Sequence, residues 1–194
     1  MSETKNKISA KFVIAGGFGV GKTTFVGSVS EIDPLRTEAA MTSASIGIDD
    51  TSKVSTKTTT TVAMDFGRIT IDNDLVLYLF GTPGQDRFGF MWDDLSAGAL
   101  GAVVLVDSRR LADCFYAIDY FESKDIPFVI AVNQFDGASS HELEEIRGAL
   151  QLDPEVLVTY CDARERNSVK SVLLTLFEVI LTRMQSRQNA SSSS

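Results

Sequence analysis

A chain of 194 residues, 44% of them hydrophobic, can bury one sizeable core and is most simply a single domain. Its formal net charge of −8 argues against DNA, RNA or an anionic membrane as a direct partner, since each calls for a basic surface. Cys114 and Cys161 lack metal-ligand spacing, and His141 is the only histidine, so no zinc site is written here. Both thiols read as small core residues of a reducing compartment. No apolar run approaches the length of a bilayer span, and Met1–Lys11 lacks the hydrophobic stretch of a signal segment. With Ser2 at the second position and no cysteine in Ala190–Ser194, neither myristoylation nor prenylation is expected. The expected location is cytoplasmic, with membrane association, if any, borrowed from partners.

Residues 1–10 are polar and read as a flexible N-terminus. Then Phe12, Val13, Ile14 and Ala15 form an apolar strand that runs into Gly16, Gly17, Phe18, Gly19, Val20, Gly21, Lys22, Thr23 and Thr24. Gly16 and Gly21 with four residues between them, followed by Lys and Thr, are the P-loop pattern. Glycines let the backbone curl with its N–H groups inward, at a helix N-terminus, so the turn becomes a cradle for phosphate oxygens. Lys22 adds positive charge at the terminal phosphates, and the Thr23 hydroxyl is the oxygen that a phosphate-bound Mg²⁺ accepts. A first helix is predicted over Thr23–Ser30. Glu31–Thr60 is rich in Thr, Ser, Ala and Asp and reads as a long loop with a short strand near Ser45–Ile48.

Val62–Ile71 alternates as a strand, Asp72, Asn73 and Asp74 supply a hairpin turn, and Leu75–Phe80 is an apolar strand buried on both faces. Gly101–Val106 and Phe128–Val132 are two more buried strands. Between them, Leu111, Phe115, Ile118 and Phe121 keep helical spacing. Ser139 with Glu142 fits a capping box ahead of Leu143, Ile146 and Leu150, and Leu157–Tyr160 is a short strand. Val169, Val172, Leu173, Leu176, Phe177, Ile180, Leu181 and Met184 recur three and four apart, an amphipathic helix whose stripe is core packing. Residues 185–194 read as a disordered polar tail. Strands alternating with helices, with one early hairpin, predict a three-layer α/β domain over 11–184. Its sheet is mostly parallel, with one antiparallel edge strand and helices on both faces. In such folds ligands bind at the carboxyl ends of the strands.

Over Lys11–Arg183 the chain resembles a Ras-type small GTPase of the P-loop NTPase fold. Thr61, Val62, Ala63, Met64, Asp65 and Phe66 resemble switch I, which would bring Thr61 to Mg²⁺ and the γ-phosphate. Gly84, Gln85, Asp86, Arg87 and Phe88 resemble switch II, placing Gln85 on the attacking water and the Gly84 N–H on the γ-phosphate. Asn133, Gln134, Phe135 and Asp136 resemble the guanine motif, in which Asp136 accepts from N1–H and the exocyclic amine; adenine presents no such donor pair. Cys161, Asp162, Ala163 and Arg164 resemble the last motif, whose alanine N–H meets the guanine oxygen. The run Asp33–Asp49, the phrase FGTPGQDRF and the phrase MWDDL look most like the small GTPases of actinobacterial conservon clusters, relatives of the bacterial MglA-type proteins. That resemblance implies a roadblock-type protein and a sensor-like ATPase as partners.

The chain departs from the small-GTPase pattern at three places. Gly81 stands where an aspartate usually holds Mg²⁺ through water, and Asp65 on the adjoining strand is the expected substitute. Phe18 is bulky at a point usually small, close to the γ-phosphate, which predicts slow intrinsic hydrolysis. Gln134 replaces the lysine that packs beneath the base. The reading is a GTP-binding switch with slow hydrolysis, Gln85 and Lys22 being its catalytic residues; the alternative is a nucleotide-dependent scaffold with little or no hydrolysis. A small-molecule kinase is disfavoured, because the segment after Asp107 offers only Arg109 and Arg110 for an arginine-rich lid. Phe88, Phe90, Met91 and Trp92 read equally as an effector surface or as core beneath a loop.

Overall fold

The computed structural model describes residues 8–33, 35–42, 59–84, 89, 91–135 and 141–192, and for 35–42, 59–63 and 192 the backbone alone. The apolar runs become the strands β1 (Ile8–Gly16), β4 (Leu75–Gly81), β5 (Gly101–Val106) and β6 (Phe128–Asn133). With β2 (Leu35–Thr42), β3 (Thr59–Thr70) and β7 (Val158–Cys161) they make one seven-stranded sheet in the order β2-β3-β4-β1-β5-β6-β7. β1 pairs in parallel with β4 and β5, and β5, β6 and β7 pair in parallel. β3 runs antiparallel to both β4 and β2, so the sheet is mostly parallel with a single reversed strand, as expected.

Alternation along β1 sorts the core into two layers. Phe12 and Ile14 pack with α1 (Lys22–Val29) and α5 (Arg166–Ser192) through Phe25, Val26, Val172 and Leu176. Val13 and Ala15 face the other way, toward α2 (Trp92–Ser96), α3 (Phe115–Ser123) and α4 (Leu143–Ala149), through Trp92, Ile118, Phe121 and Ile146. Trp92 is 4% exposed. It meets Tyr116 and Tyr120 edge to face, each at 5.1 Å between ring centroids, which is the favourable arrangement for aromatic quadrupoles. Met91 is half-buried, so this part of the aromatic group is core; Phe88 and Phe90 lie outside the described residues.

Four expectations are corrected. The reversed strand β3 is not the sheet's edge, because β2 pairs along it in a segment read as loop; Ser45–Ile48 lies outside the described residues. β1 begins at Ile8, inside the stretch read as a flexible N-terminus, because the Ile8 N–H donates to Asp74 O at 2.6 Å and Ile8–Ala10 pair with Leu75–Leu77. Helix α4 starts at Leu143, with Glu142 extended at its cap and making no side-chain capping bond. Ser139 lies outside the described residues; Glu144 and Glu145 in the first turn complement the helix dipole instead.

The fourth correction concerns the C-terminal tail, which is helical to Ser192. It contains no Gly or Pro to stop the helix and several good helix formers, Gln185, Arg187 and Ala190 among them. Ser186 and Ser191 donate to the carbonyls of Thr182 and Arg187, at 3.0 and 2.9 Å. Arg183 and Arg187 both pair with Asp125, in the turn after α3.

Leu176 on α5 is fully buried between the helix and the sheet. Leu176→Ala is expected to lower the unfolding free energy by about 2–5 kcal/mol, the usual cost of a leucine-to-alanine cavity. Urea titration reads this as a lower midpoint at unchanged slope; an unchanged midpoint would refute the placement of this face in the core.

Candidate functional site

The carboxyl ends of β1, β4, β5, β6 and β7 converge, and every motif loop described leaves from one of them. From β1 the chain turns through 16–21 into α1, and Gly21, the N-cap, has φ 107° and ψ 17°, a left-handed conformation that glycine adopts without strain. A Cβ there would stand 2.7 Å from Asn133 Nδ2, so the position is closed to any side chain. The Lys22 ammonium, 8% exposed, donates to Gly16 O at 2.8 Å and Gly17 O at 2.7 Å. An ammonium has three N–H donors, which leaves one for a phosphate oxygen. Burial pushes Lys22 down to about 8, partly offset by the negative charge of Asp65. Phe18 is 68% exposed. Gly84 lies directly on this loop, since a Cβ on it would meet Lys22 Nζ at 2.9 Å and Phe18 Cα at 2.8 Å.

The Thr23 hydroxyl donates to Asp65 Oδ2 at 2.7 Å. Antiparallel register pairs Phe66 with Phe80, which sets Asp65 beside Gly81. A Cβ on Gly81 would lie 3.0 Å from Asp65 Cβ and 3.1 Å from Oδ2. Asp65 on β3 thus lies against Gly81 on β4, in space that a side chain at Gly81 would crowd. Hydroxyl and carboxylate oxygens are the hard donors that Mg²⁺ prefers, so this pair fits the ion.

The Asn133 side chain, 5% exposed, donates to Val20 O at 2.9 Å and accepts from the Ala163 N–H at 3.0 Å. The Gln134 N–H donates to Cys161 O at 2.7 Å. The structure therefore brings together the P-loop, Asn133, Gln134 and Ala163. Because Ala163 gives its N–H to Asn133, its expected donation to a purine oxygen competes with that bond. Asp162 is occupied by Arg164, whose Nε and Nη2 reach it at 2.9 and 2.8 Å, and this cation holds the carboxyl below its usual range. Thr24 is exposed on α1. Gln85, Asp136 and the Thr61 side chain lie outside the described residues.

Four residues at this end were not legible as site residues. Asp107, 4% exposed, grips Arg109 through Nε at 2.8 Å and Nη2 at 2.7 Å. Arg110 Nη2 donates to Phe18 O at 2.9 Å, and a Cβ on Gly17 would meet Asp113 Cβ at 2.5 Å. The 3₁₀ turn Leu111–Cys114 therefore buttresses the outside of the P-loop. The available signal was Asp107 itself, a carboxylate closing a buried strand at its ligand-binding end. A broad groove lies at the opposite end of the sheet, lined by Phe128, Leu152, Asp153, Glu178 and Arg183 among others, away from the P-loop.

This sheet order, with a P-loop at the end of β1, defines a nucleotide-binding P-loop domain of the G-domain type. A family model described as "conserved hypothetical ATP binding protein" matches residues 14–183, and the chain belongs to that family. It is 34% identical over 132 residues to an uncharacterized protein of Methanocaldococcus jannaschii, covering 67% of this chain and 73% of the relative. The Ras-related protein Rab-8B of Bos taurus is 26% identical over 191 residues, covering 95% of this chain and 84% of Rab-8B, which marks a distant relationship to Ras-like GTPases. Two solved structures share the fold. The G-domain of FeoB from Methanococcus jannaschii has a TM-score of 0.60 at 13% identity, over 89% of this chain and 97% of that one. The cytosolic domain of the T. maritima FeoB iron transporter has a TM-score of 0.61 at 14% identity, over 89% and 64%.

The Lys22 shift has a measurable consequence. A bound polyphosphate raises the lysine's pKa above its free value of about 8, so above that pH the complex takes up a proton on forming. Affinity for a nucleoside diphosphate is expected to fall as pH rises from about 8, with a slope of at most about tenfold per pH unit. Titrations from neutral pH to about pH 10 test this, and a flat profile would contradict it.

Proposed function

We propose that this protein is a GTP-binding molecular switch with slow hydrolysis, working in a bacterial signalling complex with a roadblock-type protein and a sensor-like ATPase. The observation that carries the reading is the buried Asn133 carboxamide tying the P-loop to the Ala163 turn, at the head of the Asn133–Asp136 motif. This arrangement favours Asp136 as the group that selects the purine. P-loop N–H groups and Lys22 hold the phosphates, and Thr23, Thr61 and Asp65 would hold Mg²⁺. When bound, the ion supplies charge neutralisation at the phosphate oxygens. Gly84, already resting on Lys22 and Phe18, is placed to respond to a γ-phosphate, and its neighbour Gln85 orients the attacking water. Ordering of Thr61 and Gly84 by the γ-phosphate gives two states that a partner can tell apart.

Phe18 at the loop's rim and the transplanted carboxylate of Asp65 both favour slow turnover. They equally motivate the second reading, a scaffold that binds GTP or GDP and barely hydrolyses it. Multiple-turnover phosphate release with and without the roadblock-type partner separates the two. The family's description names ATP, which makes base choice the first question. Displacement of fluorescent GDP by unlabelled GTP but not by ATP is the expected result; equal displacement by both would end the guanine reading. In the same assay Asp65→Asn is expected to raise the Mg²⁺ concentration needed for tight GDP binding by about 10- to 100-fold. An unchanged Mg²⁺ requirement would remove Asp65 from the metal site.

A further inference from the structure

Arg109 is tied to Asp107 and not to the P-loop by the contacts described, and it is among the most constrained side chains at this end of the sheet. Its backbone N–H and Nε both donate to Asp107 Oδ1, at 3.0 and 2.8 Å, and its Nη2 donates to Oδ2 at 2.7 Å. A two-point fork fixes the plane of a guanidinium as well as its position. So fixed, its Cζ sits 4.5 Å from the centroid of the Phe135 ring, well inside cation–π range. The fork belongs to the β5 end, and the ring belongs to the loop leaving β6. Asp107 is almost wholly buried, whereas Arg109 keeps half of its side-chain surface exposed.

We propose that Arg109, clamped by Asp107 and stacked on Phe135, is a positioning residue for base discrimination, holding the loop after β6 at the orientation in which it reads the purine. The inference rests on the guanine reading above. Two other ties hold the same loop: Asn133 to the P-loop and Ala163, and the Gln134 N–H to Cys161 O. Both act on residues before Phe135. The Arg109 stack is the described contact nearest in sequence to Asp136, and it approaches from the β5 side. A carboxylate that must meet two donors on one base edge tolerates little rotation, because hydrogen bonds weaken steeply with misalignment. Loosening Phe135 therefore costs the second of the two base contacts, leaves the carboxylate with a single one, and spares those to the phosphates.

Hypoxanthine isolates the effect, since it keeps N1–H and the ring oxygen of guanine and lacks only the exocyclic amine. Affinities of GDP and IDP are measured by competition for the wild type, Arg109→Ala, Arg109→Lys, Phe135→Ala and Phe135→Tyr. Arg109→Ala and Phe135→Ala are expected to weaken GDP binding by about tenfold, one well-made hydrogen bond's worth, while IDP changes by no more than about twofold. Arg109→Lys, which lacks the planar fork, behaves like the alanine variant, and Phe135→Tyr, which keeps the ring, behaves like the wild type. Parallel losses for GDP and IDP, or unchanged ratios, overturn the proposal while leaving a guanine-selective wild type intact. A wild type that prefers ADP to GDP overturns the guanine reading itself.

Discussion

One carboxamide joins three loops that are far apart in sequence. Asn133 gives its N–H to the P-loop at Val20 and takes the N–H of Ala163, both within 3.0 Å, from a position that water hardly reaches. A buried amide that lost either partner would leave a desolvated polar group unpaired, at about 1–3 kcal/mol. The geometry is therefore held by the cost of breaking it as much as by the bonds themselves. It also explains Gly21, where any side chain would run into the Asn133 nitrogen. The P-loop turn and the loops that follow β6 and β7 are thus parts of one hydrogen-bonded object.

Around that object the charges are arranged in a repeated form. Asp107 with Arg109 closes β5, and Asp162 with Arg164 closes β7, each a carboxylate gripping the guanidinium two residues on. Each pair caps a strand end on one side of β6. The pairs fix loop shape without consuming the Lys22 charge, which stays committed to its own loop carbonyls. Asp65 is the one carboxylate described that reaches both Thr23 and the neighbourhood of Lys22. It reaches them from β3, beside Gly81 of β4, which carries no side chain.

The central strands were legible because burial on both faces writes itself as an unbroken apolar run, as in Phe12–Ala15, Gly101–Val106 and Phe128–Val132. β2 was not, since Leu35–Thr42 lies at an edge, where pairing with β3 and not hydrophobicity defines the strand. The last turns of α5 were misread because a polar composition fits a solvated helix as well as a disordered tail, and the Asp125 pairing that helps hold it lies far away in sequence. At the site, the P-loop was legible from spacing alone, as its chemistry is local. Asp65 could be suspected from the gap at Gly81. Arg109 and Arg110 could not be assigned, because what they touch, Phe135 and Phe18, is fixed by the topology of the sheet.

Trp92 is the only tryptophan in the chain, and it lines the small hollow shared by Gly16, Gly84 and Tyr116. Its indole is boxed by the edges of two tyrosines, next to the glycine that sits on the phosphate loop. The protein consequently carries its own optical probe: excited selectively over the tyrosines, the emission of a single indole samples the polarity around Gly84 without an added dye.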